Sequence, residues 1–169
     1  VVVLVACGST GGGTAELAGW IAEELRDAGF EVRLSAAADV SGAGRYEALV
    51  LGSAVYAAGW HPDVRRFVRR HASDFAGKPV WLFSSGPLDT SADDGPLPPG
   101  HHAEEALHEL GAREHVTFGG RMTAEARGWL GFLARRMART GRAGDFRNPL
   151  RVRGWARDVA AQIRASSPA

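Results

Sequence analysis

The 169-residue chain contains one cysteine, two methionines, two tyrosines and one lysine. A single thiol, Cys7, excludes an intramolecular disulfide and a cysteine-based zinc cluster. It also suits a reducing compartment, so a cytoplasmic protein is expected. No apolar run reaches the roughly 18 residues of a membrane-spanning helix. The opening Val1-Val2-Val3-Leu4-Val5 has no basic stretch before it and no small-residue cleavage site after it. A secretory signal is therefore not expected. The 22 glycines show no three-residue period, which excludes a collagen-like chain. Hydrophobic residues at 45% and charged residues at 23% exclude a mainly disordered state. The length suits one domain, 1–169, large enough to bury a core without staples.

Net charge is almost absent too, at +1. The balance is uneven along the chain. Residues 1–120 carry 9 basic and 16 acidic side chains, and residues 121–169 carry 11 basic and 3 acidic. Any charged partner surface thus belongs to a segment and not to the mean.

What is present is an alternation of strand and helix patterns. Residues 1–7 form a β-branched apolar run, as in a strand buried on both faces. Leu17, Ile21 and Leu25 recur on one helical face and Gly29 stops that helix. Phe30–Leu34, Ala48–Gly52, Pro79–Phe83 and Val116–Phe118 read as further strands. Pro62 opens a helix with an inner stripe of Val64, Phe67, Val68, His71 and Phe75. Ala103, Ala106, Leu107 and Leu110 mark a short helix. Asn148 and Pro149 start the last one, with Val152, Trp155, Ala156, Val159 and Ile163 inside. Five strands alternating with helices predict an α/β fold, a doubly wound parallel sheet with helices on both faces. Residues 119–148 form a basic excursion before the last helix.

Ligands of such sheets bind beyond the C-terminal strand ends. Loops rich in small and hydroxylated residues leave those ends at Gly8–Thr14, Ser53–Trp60 and Ser84–Asp94. The first reads Gly8-Ser9-Thr10-Gly11-Gly12-Gly13-Thr14. Glycines let successive amides turn inward around an anion, and the next helix adds its positive end. Ser9, Thr10 and Thr14 add hydroxyl donors, which suits a phosphate; the alternative is a plain strand-to-helix turn. Residues 8–16 contain no Lys or Arg, so the loop is not a Walker A motif. Glu16 stands where a dinucleotide fingerprint needs its last glycine. No acidic residue follows the second strand to hold a ribose. No G-x-S-x-G elbow occurs, which disfavours a hydrolase triad. A monophosphate held by neutral donors remains.

This loop resembles the FMN phosphate loop of flavodoxins, T/S-x-T/S-G-x-T. The matching residues are Ser9, Thr10, Gly12, Gly13 and Thr14, with the register of Gly11 against Gly12 open by one. The resemblance spans nearly the whole chain and implies a flavodoxin-like sheet of order 2-1-3-4-5 with FMN as cofactor. It also implies that Ser53, Ala54, Val55 and Tyr56, with Ser84, Ser85, Gly86 and Pro87, lie against the flavin ring. Tyr56 and Trp60 either stack on that ring or pack in the core. Asp89, Asp93 and Asp94 either add negative potential there or solvate the loop.

The stretches Phe118-Gly119-Gly120-Arg121-Met122, Gly144-Asp145-Phe146-Arg147 and Trp155-Ala156-Arg157 are similar to menaquinone-dependent protoporphyrinogen dehydrogenases. Those are flavodoxin-fold enzymes with a long insertion before the last helix. That likeness implies an FMN-dependent oxidoreductase passing electrons from protoporphyrinogen IX to a quinone. The third loop, Ser85-Gly86-Pro87-Leu88, departs from the pattern of that subfamily. The other functional reading is a flavodoxin-type electron carrier that docks to a redox partner protein.

Within the insertion, Trp129, Leu130, Phe132, Leu133 and Met137 share one face of a helix expected over 123–140. Arg127, Arg135, Arg136, Arg139 and Arg142 fill much of the rest. Such a surface, 123–142, suits peripheral contact with an anionic membrane, where each Arg contributes about 1 kcal/mol. It equally suits a carboxylate-bearing substrate, an acidic partner, or a helix packed on the fold with its arginines in water. Nucleic acid is not expected, because the aromatics keep to the apolar face. His101, His102 and His108 read as exposed side chains and not a metal site. His71 and Cys7 read as packing residues.

Overall fold

A computed structural model describes residues 1–56, 59–87, 89–122 and 144–167. The insertion helix expected over 123–140 and the loop residue Leu88 lie outside them.

The apolar run at the start of the chain becomes strand β1 (Val2–Gly8), and its side chains alternate between two cores. Val3, Val5 and Cys7 face one cluster; Leu4 and Ala6 face the other. Helix α1 (Gly13–Asp27) lays Leu17, Ile21 and Leu25 on the first cluster. Strand β2 (Glu31–Ala36) is an edge, and 3-10 turns at Ala37–Asp39 and Ala43–Arg45 lead to β3 (Ala48–Tyr56). A short strand β4 (Gly59–Trp60) returns antiparallel on β3, pairing Val55 with Trp60 and Tyr56 with Gly59. Helix α2 (Pro62–His71) follows, its N-terminus capped by His61 Nδ1, which accepts from the Asp63 amide. Val64, Phe67 and Val68 fill the second cluster, and Phe75 joins them from a 3-10 turn at Ala72–Phe75.

Strand β5 (Val80–Ser85), the short helix α3 (Ser91–Asp94), helix α4 (His101–Leu110) and strand β6 (Glu114–Phe118) complete the second half. Two strands of two residues, β7 (Arg121–Met122) and β8 (Gly144–Asp145), pair antiparallel at the base of the insertion. Helix α5 (Pro149–Ser166) ends the described fold, capped by Asn148 Oδ1 on the Arg151 amide. Its stripe of Val152, Trp155, Ala156, Val159 and Ile163 is buried, as the periodicity predicts.

The sheet order is β2-β1-β3-β5-β6, every neighbouring pair parallel, with β4 as a sixth strand on β3. This is the expected α/β order of the five main strands, with α1 and α5 on one face and α2 and α4 on the other.

The strands run further than the sequence suggests. Ser53–Tyr56, read as loop from the sequence, continues β3, and Val55 and Tyr56 pair antiparallel with Trp60 and Gly59. Ser53 Oγ donates to Ala54 O and accepts from the His61 amide at 2.9 Å. Ser84 and Ser85 likewise belong to β5, so the third loop begins at Gly86. Asp89 Oδ1 accepts from the Ser91 amide at 2.9 Å just before α3, which gives it a structural task within that loop.

Arginines of the basic segment pair with the acidic face of α1. Arg153 reaches Glu23 and Glu24, and Arg157 reaches Glu24. Partial burial works to raise the Glu24 pKa, but hydrogen bonds from Arg157 and Arg153 hold it below the usual carboxylate range. The charge asymmetry of the sequence is thus partly an intramolecular complement.

Candidate functional site

Gly8, Ser53, Ser84 and Thr117 stand in one row across four strands. The chain therefore leaves β1, β3 and β5 at the same edge of the sheet, where a doubly wound fold places its ligand.

The glycine-rich loop turns into α1 through Gly12, whose φ of 79° lies in the left-handed region. The Gly12 amide donates to Ser9 Oγ at 3.1 Å. No side chain among the described residues caps α1, and the Glu16 amide is the first there to find a carbonyl, that of Gly12. The amides of Gly13, Thr14 and Ala15 have no partner among the described residues. Orphan amides at a helix start, backed by the helix dipole, form an anion seat. Thr14 lies in this first turn, 2% exposed.

Tyr56 meets the loop from β3, its hydroxyl accepting from the Thr10 amide at 2.8 Å. Its ring is tilted against His61 with centroids 6.1 Å apart. Val55 is half exposed at the same edge, and a Cβ on Gly86 would lie 3.1 Å from it. Ser9–Thr14, Val55, Tyr56 and Gly86 are thus brought to one rim.

Several of the remaining expected residues turn inward. Ser53, Ser84 and Ser85 are buried, and Ala54 continues β3 between them. The Gly86 amide donates to Phe118 O and Pro87 O accepts from the Gly120 amide, so part of this loop's backbone is already paired. Trp60 packs in the core, with Nε1 donating to Ser84 Oγ at 2.8 Å. His102 Nδ1 accepts from the Trp60 amide, whereas His101 is exposed. No metal-binding group of three or more His, Cys, Asp or Glu occurs among the described residues. Cys7 lines a cleft of about 240 Å³ on the β2 side of the loop, with Leu34 and Ala36. Burial pushes its thiol up to about 11, so it stays protonated at neutral pH.

Behind Ser84 lies a half-buried histidine. Ser84 Oγ stands 2.7 Å from His115 Nε2, and Nδ1 of that ring has no partner among the described residues. Burial lowers the His115 pKa to about 4, against about 6.5 for a free histidine. Above pH 6.5 both folded and unfolded forms are neutral here and the residue is indifferent to pH. Between about 6.5 and 4 only the unfolded chain gains the proton, so stability falls with acid. We expect a loss on the order of 2 kcal/mol from this residue over that window. Urea unfolding at pH 7 and pH 4 would measure it, and His115→Gln should shrink the difference.

A cluster with no signal in the local sequence gathers at the start of α1. Arg121 on β7 pairs with Glu16 Oε1 at 3.0 Å, and Arg147 after β8 pairs with Glu16 Oε2 at 2.9 Å. Arg147 also grips Asp145 through Nε and Nη2 and lies over the Trp20 ring. Its side chain is 5% exposed, whereas that of Arg121 is 24% exposed. The hydrogen bond from Arg147 is the leading reason that Glu16 and Asp145 both sit below the usual carboxylate range. The two arginines lie on opposite sides of the insertion. The β7–β8 pairing brings them together at Glu16, and no local spacing announces that.

A parallel sheet wound on both faces, with a glycine-rich turn into a helix after its first strand, is the architecture of nucleotide-binding α/β proteins. Residues 4–141 match the model of the flavodoxin domain. The chain belongs to the flavodoxin family, whose members are FMN-binding flavoproteins. No curated protein matches it in sequence. Among solved structures it is similar to a flavodoxin from the domain Archaea, with TM-score 0.65 and 14% identity, covering 97% of this chain and 99% of that one. It is similar to rubredoxin oxygen:oxidoreductase from Desulfovibrio gigas, with TM-score 0.64 and 15% identity, covering 97% of this chain but 36% of the other. It is also similar to oxidised flavodoxin 1 from Bacillus cereus, with TM-score 0.54 and 25% identity, over 71% of this chain and 85% of that one.

Proposed function

We propose that the protein is an FMN-dependent oxidoreductase that exchanges electrons with a redox partner. The observation that carries this is the uncapped start of α1 behind Gly12, at the edge where β1, β3 and β5 end. These residues fit a phosphomonoester: amides of Gly13, Thr14 and Ala15, with hydroxyls from Ser9, Thr10 and Thr14, offer neutral donors. Gly11 lets the loop pass without a side chain. Bound FMN supplies one- and two-electron chemistry at its ring. The chain's task is to hold and orient it. Tyr56 and Val55 give the ring a flat and an apolar neighbour. Ser53, Ala54, Ser84, Ser85, Gly86 and Pro87 set the position of the strand ends behind it.

The finer reading is quinone-dependent oxidation of protoporphyrinogen IX. The insertion between β6 and α5 favours it, since a plain carrier has no need of that segment. Residues 123–142 would then meet the quinone-bearing membrane surface from the cytoplasmic side. Among the described residues no helix is long and apolar enough to cross a membrane. The second reading is an electron carrier that docks to a partner protein, favoured by the departure of Ser85–Leu88.

The purified protein should show a flavin spectrum or take up added FMN. Failure of both would overturn the cofactor assignment. Anaerobic mixing with protoporphyrinogen IX and menaquinone then separates the two readings: quinone-dependent porphyrin formation supports the enzyme, and its absence leaves the carrier.

A further inference from the structure

We infer that Arg121 is a phosphate-recognition residue that exchanges Glu16 for the phosphate of the bound flavin. This inference rests on the FMN reading above. The loop itself has no cation, and a phosphomonoester brings a charge of about −1.5 to −2 at neutral pH. A cation beside the loop must come from elsewhere in the fold.

Arg121 lies against the seat itself. Its Nη2 is 4.0 Å from where a Cβ on Gly12 would stand, and its Cβ and Nε are 3.4 and 3.8 Å from the equivalent point on Gly13. Arg147 is not equivalent. Its guanidinium is engaged by Asp145 and Glu16 and approaches Gly13 O at 3.4 Å. Arg121 makes one ion pair among the described residues, with a carboxylate that is 49% exposed. Glu16 can release Arg121 to the phosphate and keep Arg147, which Asp145 holds in any case. The cluster of two arginines and two carboxylates is neutral without ligand, so Arg121 can turn to the ligand without leaving a buried charge unpaired.

The test compares two flavins that differ only in the phosphate. Dissociation constants for FMN and riboflavin are measured by fluorescence quenching for wild type, Arg121→Gln, Arg121→Lys and Glu16→Gln. Arg121→Gln should weaken FMN about tenfold or more while leaving riboflavin unchanged, as loss of a charge-assisted hydrogen bond requires. Retained riboflavin affinity reports that the variant is folded. Arg121→Lys should be intermediate, and the salt dependence of FMN binding should flatten in Arg121→Gln. Glu16→Gln should tighten FMN, since the competing carboxylate is gone. Unchanged FMN affinity in Arg121→Gln, or an equal loss of both flavins, would overturn the role of Arg121. Unchanged or weaker FMN binding in Glu16→Gln would overturn the partner exchange. If the wild-type protein binds neither flavin, the FMN reading itself falls.

Discussion

Gly52→Ala should destabilise the protein by about 3 kcal/mol or more, lowering Tm by roughly 10 °C for a chain of this size. Gly52 pairs directly with Phe83 across β3 and β5. A Cβ there would lie 2.0 Å from Phe83 Cζ, and 2.3 Å from both Cε atoms. The ring covers the bare glycine backbone, and it cannot retreat freely. Phe118 and Trp155 stand at 6.2 and 6.3 Å between centroids on its other sides. Moving Phe83 therefore disturbs the contact between the sheet and α5. The cost should couple to the ring. In a Phe83→Leu background the added methyl group should cost at least 1 kcal/mol less, because the shorter side chain leaves room. Denaturant midpoints for the four proteins of the cycle measure this. Additive losses would show that Gly52 serves another purpose than close approach.

Strand β1 shows why the fold was legible in the sequence. Val3, Val5 and Cys7 face α1 and α5, while Leu4 and Ala6 face α2 and α4. A run that is apolar at every position can be buried only on two sides, so residues 1–7 already imply a sheet between helical layers. The periodic stripes of α1, α2 and α5 supply those layers. Strand ends were less legible. Ser53, Ser84 and Ser85 look like loop residues, yet they continue β3 and β5. Ser53 and Ser84 find hydroxyl partners in Ala54, His61, Trp60 and His115. Satisfaction of a small polar group by a distant partner has no local signature. Of the candidate site, the loop Ser9–Thr14 was visible because its glycines are contiguous, whereas the cluster around Glu16 was not.

That cluster also revises the meaning of the uneven charge. The C-terminal segment is basic and the first 120 residues are acidic, which suggests a body and an attachment with opposite affinities. In the structure Arg121, Arg147, Arg153 and Arg157 all meet carboxylates of α1. Much of the described asymmetry is spent inside the molecule. The Arg147 side chain is buried in its pair, at 5% exposed; the other pairs are partly exposed, and each of those contributes little to stability. Their consequence is positional: they draw the base of the insertion and the start of α5 against the helix that begins at the anion seat. The two described ends of the insertion, at β7 and β8, therefore stand beside the start of α1.

Gly12→Val should abolish FMN binding while leaving most of the fold intact. Gly12 holds φ at 79°, a region that β-branched residues adopt only under strain. To relieve it the peptide must rotate, and the Gly12 amide then leaves Ser9 Oγ. The amides of Gly13 and Thr14, which follow directly, turn with it. The seat is thereby dismantled by geometry, not by loss of any side-chain group. An FMN affinity reduced by at least a hundredfold is expected, equivalent to about 3 kcal/mol of lost binding. The core tolerates the change, because Leu17, Ile21 and Leu25 anchor α1 one turn further on. Far-UV circular dichroism should therefore remain that of the wild type. The neighbouring residue provides the contrast. Gly11 has no positive φ, and a Cβ there would meet no atom of the described residues within 4 Å. Gly11→Ala should shift stability by less than about 0.5 kcal/mol. FMN titration and thermal melts of both variants measure these outcomes. Undiminished FMN affinity in Gly12→Val would place the phosphate away from this loop.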